Sequence, residues 1–420
     1  MKNKVLNLIN KAQKELYGEF EKIDQLAEYN QIRIIECMKE CNISERHFIP
    51  STGYGYSDEG RDQLEELYAL VFGCEDALVR PQWGSGTHVI SDALYAVLRP
   101  GDNLMSITGK PYDTLEDTIG FKQNGLDNGS LKDWNITYSQ VDLDDNGQID
   151  IDKVLKELAD KPNTKAIFIQ RSRGYEWRPS ISVDDMKEPI EKIKQKNPEI
   201  FIIVDNCYGE FTEKVEPSHL GADLTVGSLI KNPGGGLAPT GGYAAGTKRA
   251  IELMSYRLTS PAVGREVGSY AASYLPFYQG LFMAPHIVGQ ALKGAVLVAR
   301  VFEMLGYEVL PNWKEDRSDI IQCIRFNSDD ELIAFCQAIQ GASPVDSHVT
   351  PYPWDMPGYS HQVIMAAGTF IQGASIELSA DAPIKAPYTA YLQGGLTFTH
   401  VKYALTSAIL NLCKQGFIDL

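Results

Sequence analysis

The sequence predicts an α/β fold with a mostly parallel seven-stranded sheet in a large domain and a smaller α+β C-terminal domain. Three observations predict it. From residue 77 to residue 247 short apolar runs alternate with helix-like stretches, the pattern of strands joined by crossover helices. After a long helical segment over 286–305 the texture changes to strands with only two helices among them. At 420 residues the chain also exceeds what one small core can hold. The expected divisions are an N-terminal helical arm over 1–50, a large domain over 51–290 and a small domain over 291–420.

The opening stretch "MKNKVLNLINKAQKELYGEF" sets Val5, Leu6, Ile9 and Leu16 at helical spacing. It lacks the uninterrupted apolar run of a secretory signal. Candidate strands of the large sheet are 77–79, 103–107, 136–141, 166–170, 201–204, 224–227 and 242–245. Residues 87–98, 151–159 and 183–195 read as helices between them. In the last third, 307–310, 320–325, 368–371 and 375–378 read as strands, and 330–339 and 399–414 as helices. The proline-rich "TPYPWDMPGY" (350–359) is a loop placed to cover a site.

Composition narrows the function. Hydrophobic residues make up 44% and charged residues 22%, as in an ordinary globular protein. A net charge of −16 argues against nucleic acid or an anionic membrane as partner. No apolar run is expected to reach membrane-spanning length. The seven cysteines are scattered, and Cys37 and Cys41, one helical turn apart, lack further ligands. Reduced thiols, a cytoplasmic location and no metal site are the expectation.

Two motifs imitate other chemistries. "DLDDNGQID" (142–150) sets Asp142, Asp144, Asn146 and Gly147 like a calcium loop, but its twelfth position is Lys153, a cation where a bidentate glutamate is needed. Asp-Asn-Gly is also a good turn, and an aspartate cap suits the helix behind it. Ser228-Leu-Ile-Lys231 matches the S-x-x-K of serine acyl-transfer enzymes, yet "SDA" (91–93) and "GTK" (246–248) do not complete that site.

"TVGSLIKNPGGGLAPTGGY" (225–243) nevertheless puts Lys231 where an apolar strand meets a glycine-rich loop, and three other features converge on it. "WGSGTHV" (83–89) lies between a strand and a helix, so backbone N–H groups and the Ser85 and Thr87 hydroxyls can approach a phosphate at a helix N-terminus. A glycine turn entering a helix is also common without a ligand. "FIIVDNCYGEF" (201–211) ends a strand on Asp205, at the edge where open α/β sheets keep ligands; otherwise Asp205 caps the next segment. Tyr112, in "ITGKPYDTLEDT", is either a flat wall for an aromatic ligand or an ordinary half-buried tyrosine.

Together these parts specify pyridoxal phosphate. Lys231 holds its aldehyde as a Schiff base and, as a free amine, shuttles a proton; Asp205 keeps the pyridine nitrogen protonated. Gly86, Thr87 and Ser228 hold the phosphate, with Ser85 beside them, and Tyr112 stacks on the ring. Cys207 reads as a small packing residue, and Trp83 and Trp177 as neighbours of the pocket.

Strand–SGT–helix, then "VDN", then S-x-x-K beside a glycine-rich turn resembles the fold-type I pyridoxal-phosphate enzymes, and within them the cystathionine/methionine lyase group. "YGYSDEGRDQLEELYALVFGCEDALV" (54–79) is similar to that group's run from a tyrosine motif into "L-E". From "GYGYSDEGRDQLE" to "YLQGGLTFTH", nearly the whole chain resembles the branch called methionine γ-lyase-like or aluminium-resistance proteins, often labelled cystathionine β-lyases.

The resemblance implies an aspartate-aminotransferase-like fold and elimination of a thiol from a sulfur amino acid. It also implies a dimer, or dimer of dimers, in which Tyr54 or Tyr56 reaches a neighbour's phosphate. The accompanying arginine has no clean match: Gly55 falls near its place and Arg61 is a nearby candidate. Where those lyases carry an arginine for the substrate carboxylate in "R-L-S", this chain reads "IELSADAP", with Glu377 there. Arg173 or Arg178 in "QRSRGYEWRPS", or Lys385, is left for that task. Aminotransfer and aldol-type cleavage use the same core, and a serine acyl-transfer enzyme or a non-catalytic binding protein are the alternatives from other classes.

Overall fold

The inner strands of the large sheet are buried on both faces, so they are stable only with helices on either side. A computed structural model describes residues 1–121, 127–356 and 359–420. The chain begins with helices α1 (Lys2–Glu15), α2 (Tyr17–Glu40) and α3 (Glu59–Phe72). The alternating region follows as β1 (Asp76–Arg80), α4 (Gly86–Val97), β2 (Asn103–Ser106), α5 (Glu116–Ile119), β3 (Thr137–Gln140), α6 (Ile151–Asp160), β4 (Thr164–Gln170) and α7 (Val183–Lys196). It closes with β5 (Phe201–Asp205), β6 (Leu224–Ser228), β7 (Gly242–Gly246) and α8 (Lys248–Leu258). Each of the seven expected strands falls on an observed one.

They form one sheet in the order β1-β7-β6-β5-β4-β2-β3, with β7 antiparallel to both neighbours and the remaining pairings parallel. The carboxyl ends of β1, β4, β5 and β6 therefore share one edge, and Gln170, Asp205 and Ser228 sit on it.

Helix α9 (Leu275–Met304) is longer than expected, because Pro285 reads as a helix start but lies inside it. A proline there removes one backbone hydrogen bond. Burial outweighs that loss: Ala284, Val288 and Leu292 sit in the core behind the large sheet, whereas Val296, Val301 and Phe302 sit in the C-terminal core. The expectation of no membrane-length apolar segment fails on composition, since α9 is long and apolar enough; 72% of its apolar window is buried inside the protein. A helix apolar all round is what two flanking cores require. Helix α1 also packs on the C-terminal core through Val5 and Ile9, joined by Leu16 just past its end, each fully buried and worth about 1.5–3 kcal/mol.

The last part comprises β8 (Val309–Leu310), β9 (Ile321–Arg325), α10 (Asp329–Gly341), β10 (Val363–Ala366), β11 (Ser379–Pro383), β12 (Thr389–Gln393) and α11 (Phe398–Lys414). Its sheet is antiparallel throughout, in the order β10-β11-β12-β9-β8. Two expected strands are absent. Residues 368–371 and 375–378 form a loop in which Glu377 accepts the backbone N–H groups of Phe370 and Ile371, both at 2.9 Å. The strands lie instead at "SADAP" and "TAYLQ", where pairing to neighbours overrides the low strand preference of Ser, Asp and Ala.

The calcium-like stretch is a self-satisfied turn. Asp144 accepts the N–H groups of Asn146 (2.9 Å) and Gln148 (2.8 Å), Asp150 caps α6 by accepting from Lys153 N–H (3.1 Å), and the Lys153 ammonium pairs with Asp150 at 2.7 Å.

Candidate active site

Strand β6 ends on Ser228, and the chain turns at once into Lys231, which starts a short helical turn over Asn232–Gly234. Glycine is required there. A Cβ on Gly234 would stand 1.8 Å from the Leu229 carbonyl oxygen, and one on Gly280 of α9 would stand 2.3 Å from the Gly234 oxygen. The loop carrying Lys231 is thus pressed between its own strand and α9.

One glycine measures how closely the separate motifs meet. A Cβ on Gly86, the first residue of α4, would lie 3.4 Å from Cys207 Sγ, 3.6 Å from Ser228 Cβ and 4.0 Å from Lys231 Nζ. "SGT", "VDNCY" and S-x-x-K, scattered over some 150 positions of sequence, converge on one point. Ser85 caps α4 by accepting the His88 N–H at 3.1 Å, and the Thr87 hydroxyl bonds that of Thr114 at 2.8 Å. The Ser228 hydroxyl is buried and has no partner among the described residues. A buried hydroxyl left unpaired is costly, which marks it as waiting for a ligand atom.

Asp205 ends β5, is 8% exposed, and accepts the Cys207 N–H at 3.1 Å. Burial pushes its carboxyl above the ordinary value, while the Lys231 charge and that N–H pull it back. Burial lowers the Lys231 ammonium, but the acidic side chains around it, Asp205 and Glu210 among them, outweigh that and hold it above its ordinary value. Its Nζ lies 4.1 Å from the centre of the Tyr208 ring. Burial also raises the Cys207 thiol, the state of a packing residue rather than of a nucleophile.

Tyr112 is half-buried within an aromatic cluster. Its N–H donates to Gln170 Oε1 (2.6 Å), its hydroxyl meets that of Tyr359 (2.7 Å), and its ring is 5.7 Å from Tyr175. Tyr359, the last residue of the proline-rich sequence, thus lies at the site. Trp83 is buried and donates its indole N–H to Asp92 (2.8 Å), and Trp177 lies under the Arg325 guanidinium at 3.8 Å.

The substrate-binding candidates differ in what they already hold. Arg173 is fully buried against Asp319 (3.2 Å) and donates to the Leu310 carbonyl oxygen (3.1 Å), so its charge is already matched. Arg178 donates to the carbonyl oxygens of Pro179, Gln170 and Ser172 and has no carboxylate partner among the described residues. Burial and the nearby Arg173 push its guanidinium down to about 10. Lys385 is exposed in the turn between β11 and β12. Tyr54 and Tyr56 are 72% and 65% exposed with rings 5.5 Å apart, and Arg61, itself buried, donates to the Gly55 carbonyl oxygen at 2.9 Å.

Sequence reasoning missed Tyr208, Tyr175, Tyr359 and Asp381. Tyr208 was within reach, since it directly follows Cys207 on the ligand edge. Its φ of 74° is an uncommon conformation for a bulky residue, of the kind that collects at functional sites.

The family described as methionine gamma-lyase matches residues 5–413. The chain belongs to the methionine γ-lyase family. The protein YnbB of Bacillus subtilis is 55% identical to this member over 404 residues, covering 96% of this chain and 95% of YnbB. A structure from Clostridium novyi, named a carbon-sulfur lyase involved in aluminum resistance, is 50% identical, with a TM-score of 0.93 over 97% of this chain and 95% of that one. The pyridoxal-5'-phosphate dependent protein YhfS of Escherichia coli, at 16% identity and a TM-score of 0.62, covers 92% of this chain and 97% of its own and shares the fold. The resemblance to fold-type I enzymes and to the aluminium-resistance branch is borne out.

The donor set of this methionine γ-lyase family member fits pyridoxal 5'-phosphate. It offers an amine for an aldehyde, a buried carboxylate for a ring nitrogen, and a helix N-terminus beside an unpaired serine hydroxyl for a phosphate.

Proposed function

We propose that the protein is a pyridoxal 5'-phosphate-dependent carbon–sulfur lyase, of cystathionine β-lyase or methionine γ-lyase type. It would eliminate a thiol from a sulfur amino acid to give a 2-oxo acid and ammonia. The observation that carries this reading is the meeting of Lys231 Nζ, Cys207 and Ser228 around Gly86, beside Asp205. When bound, the cofactor supplies an electron sink for the charge left on the substrate's Cα.

The chain's residues do the rest. Lys231 holds the cofactor's aldehyde carbon and, once released, takes the Cα proton on Nζ. Asp205 keeps a proton on the ring nitrogen. Ser85, Gly86 and Thr87 at the start of α4, with the Ser228 hydroxyl, hold the phosphate, and Tyr112 lies against the ring. Arg178, with no carboxylate partner among the described residues, takes the substrate carboxylate ahead of Arg173, which Asp319 already matches, and of Lys385, which is exposed.

The test is direct. The purified protein should absorb in the near-visible, the band should change on adding a sulfur amino acid, and a 2-oxo acid should appear. A protein with bound cofactor that releases no thiol from any sulfur amino acid would reject the lyase reading.

Ser228→Ala should weaken cofactor binding by about tenfold to a hundredfold, the loss of one hydrogen bond to a charged group. Titrating the cofactor into stripped protein measures it. Unchanged affinity would remove Ser228 from the phosphate site.

The exposed Tyr54 and Tyr56 suit a shared site in a closed dimer or dimer of dimers. Replacing both with phenylalanine should lower cofactor affinity. Mixing that variant with inactive Lys231→Ala under subunit exchange should restore part of the activity, since one hybrid site is intact. No recovery despite proven exchange would refute the shared site.

A further inference from the structure

The five-stranded sheet turns one face to its own core and the other to the site. Ala380, Ala382, Ala390 and Leu392 point into the C-terminal core, so strand alternation sends Asp381, Tyr391 and Gln393 to the opposite face. On that face Tyr391 packs with Tyr175 at 5.1 Å and donates its hydroxyl to the Tyr175 carbonyl oxygen at 2.6 Å. Tyr175 in turn lies 5.7 Å from both Tyr112 and Tyr359. Asp381 is the residue directly opposite Tyr391 in the ladder, so it stands beside this cluster.

The state of Asp381 is unusual. The residue is 6% exposed, Gln393 Nε2 donates to Oδ2 at 2.9 Å, and Oδ1 is buried with no partner among the described residues. No arginine, lysine or histidine pairs with it among those residues. Burial pushes this carboxyl up to about 6, while Gln393, the Tyr175 hydroxyl and the Lys231 charge pull it back down, and its own charge is felt by the phenols of Tyr112, Tyr175 and Tyr359. A buried carboxylate oxygen without a donor calls for one. Glu377, the other carboxylate nearby in sequence, is satisfied by two backbone N–H groups.

We propose that Asp381 receives an ammonium group at the far end of the substrate side chain, so that the enzyme selects sulfur amino acids whose thiol portion is cationic. An ammonium brings three donors and a positive charge to a bare carboxylate oxygen, and tyrosine faces beside it attract the same charge. A neutral or anionic side chain would leave Oδ1 unpaired. The inference rests on the lyase reading of the same site.

The test compares S-(2-aminoethyl)-L-cysteine with S-propyl-L-cysteine, which differ in the terminal group. The wild-type holoenzyme should favour the amino compound in kcat/KM by about tenfold or more, as expected for one charge-assisted hydrogen bond. Asp381→Asn, nearly isosteric, should collapse that ratio towards one. Asp381→Glu, which keeps the charge, should retain part of it and serves if the asparagine variant misfolds. A wild-type ratio near one, or a loss shared equally by both compounds, would overturn the proposal.

Calorimetric binding of L-lysine and L-norleucine, which carry no sulfur, gives a second readout. Wild-type protein should prefer lysine by a similar factor and Asp381→Asn should not; a preference surviving that substitution also overturns the proposal. Failure of both cysteine derivatives to react would count against the lyase reading instead, and the calorimetric preference would still decide the role of Asp381.

Discussion

Lys231→Ala should lower turnover at least about 1,000-fold, because in the proposed mechanism one side chain both anchors the cofactor and moves the Cα proton. No neighbour can substitute. Burial keeps the Cys207 thiol from ionising, and Asp205 accepts the Cys207 N–H and is proposed to hold the ring nitrogen. The variant should still fold, since the glycine contacts that shape the loop are untouched. Borohydride treatment of the wild type should leave a pyridoxyl group on the peptide containing Lys231. Finding the label on Lys110 or Lys248 would end the assignment, as would a variant with near-normal turnover.

Asp205→Ala should be the next most damaging change. Breaking one side of a buried charged pair costs about 3–5 kcal/mol, which expressed in the barrier is roughly a hundredfold to a few thousandfold in rate. Melting temperature should change little by comparison, because Asp205 makes one hydrogen bond to its own loop and no ion pair with the scaffold among the described residues. Asp205→Glu should be intermediate at best, since the longer side chain misplaces the charge at the end of β5. Steady-state turnover with saturating cofactor measures both. Full activity in Asp205→Ala with cofactor bound would assign the ring nitrogen to another group.

The edge that carries the candidate site was legible because its residues sit at or just past strand ends, and strand ends are visible as the point where an apolar run stops. Asp205, Ser228 and Lys231 are all of this kind. The tyrosine cluster and Asp381 were not. Tyr112, Tyr175, Tyr359 and Asp381 come from four distant segments, and pairing between β11 and β12 is what lines the last of them up. "SADAP" has weak local preference for a strand, so its alternation, and with it the direction of Asp381, depends on neighbours the sequence does not name. In the same way Arg173 looked free until Asp319, nearly 150 positions away, supplied its counter-ion.

Helix α9 serves two masters, and this limits how the protein could be rebuilt. Its first half braces the loop of Lys231 through Gly280, its second half fills the core beneath the five-stranded sheet, and Gln290 between them receives the Phe398 N–H that opens α11. A protease or a genetic split near residue 290 would leave each fragment with an apolar half-helix and no mate. The C-terminal part therefore cannot be swapped between relatives as a cassette to import a new preference for leaving groups. Recombination would have to carry α9 whole, together with the glycine loop it clamps.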